Sequence, residues 1–80
     1  MKNLLDRIEV NPEVLTGKPV IKGTRLSVQY MLGLLASGAG FDEILSEYHN
    51  VTKEDILACI LFASVALDNS LFTPLPQYSF

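Results

Sequence analysis

Positive charge is scarce in this chain, which carries six Lys and Arg against nine Asp and Glu. A protein whose main business is nucleic acid usually shows a basic face, because neutralising phosphates and releasing counterions supplies most of the affinity. Residues 1–25 hold a net +2 and residues 26–80 a net −5, so only the N-terminal third could supply such a face. Cysteine is equally sparse. The single Cys59 excludes an internal disulfide framework and a cysteine-rich zinc site, which fits a reducing cytoplasm. His49 is the only histidine, without Cys or paired carboxylates at ligand spacing, so no metal or other cofactor is expected. No nucleophile, base and orienting group can be assembled from this inventory, which argues against an enzyme. The longest apolar run, Ile56 to Leu67, falls short of the roughly 20 residues that span a bilayer. The opening MKNLLDRIEV lacks the apolar core of a secretory signal, and no membrane association is expected.

What the chain does have is apolar surface. Hydrophobic residues make up 49% of its 80 residues and charged residues 19%. That is rich for a globule too small to hide much of its surface alone, and it points to a homodimer. Arg7 to Val10 and Pro19 to Lys22 read as two short strands, with a turn at Asn11-Pro12 and glycines at positions 17 and 23. Ser27 is placed to cap a helix over Val28 to Ser37, and Gly38 to end it. Gly33 inside that helix suggests a close approach of another backbone. Asp42 and Glu43 open a short helix ending near Tyr48, with Ile44, Leu45 and Tyr48 as its buried stripe. After the link His49-Asn50-Val51, Thr52-Lys53-Glu54-Asp55 reads as a capping box with Asp in place of Glu or Gln, opening a long helix to about Leu67. The spacing is that of a helix-turn-helix. The expected fold is therefore mainly α: a short N-terminal β arm or hairpin, then a three-helix, helix-turn-helix-like core that dimerises. Residues 1–67 form the domain, and residues 68–80 an apolar tail in which Pro74 and Pro76 forbid a regular helix.

The segments NPEVLTGKPVIKGTRLSV, SGAGFDEIL and VTKEDILACILFA, spread over about Ile8 to Leu67, closely resemble the family named Domain of Unknown Function 433. GKPVIKGTR is the most specific of these motifs, and Thr52 to Ile56 matches the family's start to the second helix of the pair. Gly40-Phe41 stands where the pattern usually has Ser-Pro, and His49 where it usually has Pro. The resemblance implies a small prokaryotic protein with a homeodomain-like helix-turn-helix, proposed in this family as the antitoxin of a toxin–antitoxin pair. It also implies a PIN-like ribonuclease as partner and autoregulation of the operon through operator DNA.

Candidate site residues follow from these readings. Lys18, Lys22 and Arg25 carry half of the chain's positive side chains and could meet DNA phosphates or an acidic partner. They do not form a phosphate-binding loop, because GxxxxGK with Ser or Thr is missing and Pro19 follows Lys18. On a recognition helix only the first turn, with Lys53, Glu54 and Leu57, could reach base edges. From Ile56 to Leu67 the long helix has Ser64 as its one polar residue, so it must be enclosed on all sides, with Ile56, Ile60, Leu61 and Phe62 as the dimer core. In the tail, Leu71, Phe72, Leu75, Tyr78 and Phe80 form a candidate partner-binding strip. The reading is an antitoxin-like binding protein; the alternatives are a DNA-binding transcriptional regulator without a toxin, or a structural dimerisation module.

Overall fold

The computed structural model describes residues 3–13 and 15–69. The tail strip Leu71, Phe72, Leu75, Tyr78 and Phe80 lies outside the described residues. A 3-10 turn, Leu4–Arg7, leads into strand β1 (Ile8–Val10), which pairs antiparallel with β2 (Pro19–Ile21). Three helices follow: α1 (Val28–Ala36), α2 (Phe41–Glu47) and α3 (Lys53–Asn69). The β arm and three-helix order match the expectation, but β1 begins at Ile8. Arg7 closes the 3-10 turn instead, with the turn capped by Asn3, whose Oδ1 accepts from the Leu5 N–H at 2.9 Å.

The hairpin register sets Ile8 opposite Ile21, and both side chains face the core. Between β2 and α1 the chain reverses over Gly23, whose φ of 80° is the left-handed conformation that favours glycine. Thr24 holds this reversal from both sides: its Oγ1 donates to the Ile21 carbonyl at 2.8 Å and accepts from the Leu26 N–H at 3.0 Å. Much of GKPVIKGTRLSV is thus occupied in turning the corner into α1.

Helix α1 starts where Ser27 Oγ accepts from the Tyr30 N–H at 2.9 Å. It ends in a Schellman motif: Gly38, at φ 100°, donates to Leu35, and Ala39 donates to Leu34. A side chain at Gly33 would meet open space, so no other part of the described chain approaches it. In place of a side-chain cap, α2 uses Glu43, whose Oε1 accepts from the Gly40 N–H at 2.9 Å. The core gathers Ile8 and Ile21 from the hairpin, Val28 and Met31 from α1, Ile44 from α2, Val51 from the link, and Ile56, Ala58 and Cys59 from α3. Full burial of each large member contributes about 1.5–3 kcal/mol.

The long helix α3 runs to Asn69, past the expected end at Leu67. It is not enclosed all round within the subunit. Ile56, Ala58 and Cys59 face the core with 0% exposure, whereas Leu57 and Ile60 are 37% and 42% exposed. Among the described residues, no helix is long and apolar enough to cross a membrane.

Candidate partner-binding surface

The start of α3 is the position from which a helix-turn-helix would meet base edges, so its chemistry decides what this end of the molecule can bind. The capping box read from the sequence is formed. Thr52 N–H donates to Asp55 Oδ2 at 2.9 Å, and Asp55 N–H donates to Thr52 Oγ1 at 3.2 Å. Arg7 completes it from the opposite end of the fold, its Nη1 donating to Asp55 Oδ1 at 3.1 Å and to Thr52 Oγ1 at 3.4 Å. Asp55 is only 6% exposed, so its charge depends on these partners. The 3-10 turn that carries Arg7 packs against α3, and the ion pair locks that contact.

A cleft of about 530 Å³ opens beside this junction, lined by Asp6, Arg7, Lys22, Glu54 and Asp55 among others. Three carboxylates thus face two cations, and a carboxylate already sits on the positive pole of α3. A DNA phosphate here would meet net negative charge. Arg25 lies elsewhere, in a second cleft of about 410 Å³ with Glu9 and Asn50. Lys18, Lys22, Arg25, Lys53 and Glu54 are all exposed, but only Lys22 and Glu54 share a cleft.

The apolar candidates divide in the same way. Ile56 is fully buried in the subunit's own core, and Phe62, half-buried, packs against that core. Ile60 is exposed and Leu61 half-buried; together with exposed Leu57 they form an apolar surface on the side of α3 turned away from the core. Two aromatic residues went unnoticed in the sequence as a pair. Tyr30 and Tyr48 meet edge to face with ring centroids 6.3 Å apart and hydroxyls 2.7 Å apart, bridging α1 to the end of α2. The hydrogen bond to Tyr30 pushes the Tyr48 phenol up to about 12. His49 is a turn residue: its Nε2 lies 2.9 Å from the Ser46 carbonyl.

Cys59 is enclosed, and burial above all, with the charge of Asp55 adding, pushes its thiol up to about 11 from 9.0. Folded protein is expected to resist a thiol-specific disulfide reagent at neutral pH and to react fully in denaturant. The sign of the alkaline effect follows from the same shift. The folded state holds the proton more tightly, so this contribution to stability is complete below about pH 9 and lost as pH rises towards 11. Rapid labelling of the folded chain at pH 7 would contradict the enclosure.

A small β-hairpin packed on three helices, with GKPVIKGTR forming the hairpin's second strand and the turn into α1, defines the class. Residues 8–63 match the family described as Protein of unknown function (DUF433), and the chain belongs to that family. A solved relative is the crystal structure of a DUF433 member protein from Anabaena variabilis, with a TM-score of 0.73 and 27% sequence identity. The match covers 78% of this chain and 61% of that one, so this chain spans less than two thirds of the relative's length. No match was found among the curated proteins.

Proposed function

We propose that this protein acts by binding another protein, as the antitoxin-like member of a toxin–antitoxin pair whose toxin is a PIN-like ribonuclease. The observation that carries this reading is the carboxylate-rich start of α3, where Asp55 occupies the helix pole and Glu54 and Asp6 share the adjoining cleft. A surface of that charge favours a protein partner over a phosphate backbone. The ribonuclease comes from what the family resemblance implies. Contact with operator DNA is secondary, made by exposed Lys18, Lys22, Arg25 and Lys53 as phosphate contacts that position without reading sequence.

The toxin-binding element in this reading is the strip Leu71, Phe72, Leu75, Tyr78 and Phe80, where two prolines favour an extended path and separated apolar side chains supply specificity. Co-expression with the product of the adjacent gene tests it. The full chain should co-purify with that nuclease. A chain lacking residues 71–80 should melt at nearly the same temperature and lose the nuclease. A truncated chain that folds normally and still retains its partner would remove the strip from the account.

A further inference from the structure

We infer that the outer face of α3 docks on α3 of a second copy, antiparallel and about a two-fold axis between Ile60 and Leu61. This stands independently of the antitoxin reading. Along that face Lys53, Leu57, Ile60 and Ser64 follow one another at spacings of four, three and four, the seam pattern of paired helices, with Leu61 and Asp68 flanking it. Of the buried residues of α3, Asp55, Ala58 and Cys59 lie on the opposite side and Ile56 at the border between the two. From Ser64 to Asp68 every residue of α3 is exposed.

Charge selects the occupant and its direction. Lys53 opens α3 and Asp68 closes it, about 22 Å apart along the axis at 1.5 Å per residue. Both are exposed, and they are equidistant from the midpoint between Ile60 and Leu61. Two antiparallel copies crossing at that midpoint set Lys53 of each beside Asp68 of the other, and Leu57 opposite the small Ser64. A parallel pair would instead oppose lysine to lysine at one end and aspartate to aspartate at the other. The last turn of each copy's α3 then rests over the first turns of its partner's α3, an isologous contact that closes on itself.

Reversing the end charges reads this register out. In low salt, light scattering of the parent should give a mass twice 8.8 kDa. Lys53→Asp or Asp68→Lys alone should raise the dimer dissociation constant about tenfold, the effect of roughly 1.4 kcal/mol across two symmetric exposed pairs. The double variant Lys53→Asp/Asp68→Lys should return it to the parental value. Circular dichroism checks that each variant keeps the parental helix content, as expected at exposed positions. A monomer at all concentrations overturns the proposal. So does a dimer indifferent to the single reversals, or one that the double variant fails to restore.

Discussion

An Asp55→Ala chain should lose about 2–3 kcal/mol of folding stability, read as a lower midpoint in urea with an unchanged slope. The carboxylate does two things at once. It closes the capping box on Thr52, worth about 1 kcal/mol, and it receives the Arg7 guanidinium that ties the N-terminal turn to α3. The Arg7 side chain is 42% exposed, so water takes back part of the ion pair when it is lost, and the total stays below the sum of the gross terms. In a domain of this size, whose whole stability is about 4–12 kcal/mol, the expected drop in melting temperature is roughly 10–20 °C. Arg7→Ala should be milder, at about 1 kcal/mol, because Asp55 keeps the Thr52 donor. Asp55→Asn should fall between the two, retaining the cap while losing the charge. An Asp55→Ala chain that melts within a degree or two of the parent would show that this junction does not hold the fold.

The second large effect separates two isoleucines one helical turn apart on α3. Ile56 has 0% exposure and Ile60 has 42%. Ile56→Asp places an unpaired charge in the centre of the core, costing several kcal/mol, and should abolish folding. Ile60→Glu points the same kind of charge into solvent within the subunit, leaving secondary structure intact. Two copies of that charge would meet across the paired helices, so the expected product is a folded monomer of 8.8 kDa. Circular dichroism with light scattering distinguishes the outcomes. Identical behaviour of the two variants, whether both unfolded or both dimeric, would contradict the division of α3 into an inner and an outer face.

How much of this was legible in the sequence depends on how local each feature is. The caps at Ser27 and Thr52 and the glycine stop at Gly38 act over two to five residues and were read directly. The Arg7–Asp55 pair spans 48 positions and the Tyr30–Tyr48 pair 18, and nothing in residue type announces either. One clue was available: aspartate at the third position of the box is shorter than the usual glutamate, and its remaining oxygen is free for a distant donor. The orientation of α3 was hidden for another reason. A helix apolar on both sides has little periodic signal to reveal which face is inside, so the sequence alone places Ile56 and Phe62 in the dimer core along with Ile60 and Leu61. The outer face is marked by its sparse polar residues, Lys53, Ser64 and Asp68, rather than by its apolar ones. The acidic character of the first turn of α3 was visible in Glu54 and Asp55. Only the fold brings Asp6 to the same cleft and pairs Arg7 with Asp55.

The most direct measurement of the proposed antitoxin role is RNA cleavage by a candidate PIN-like partner ribonuclease, titrated with the purified chain. Inhibition that saturates at a fixed molar ratio, and that the chain lacking residues 71–80 fails to produce, is the predicted result. Cleavage that proceeds unchanged at a large excess of the full-length chain would contradict the antitoxin account.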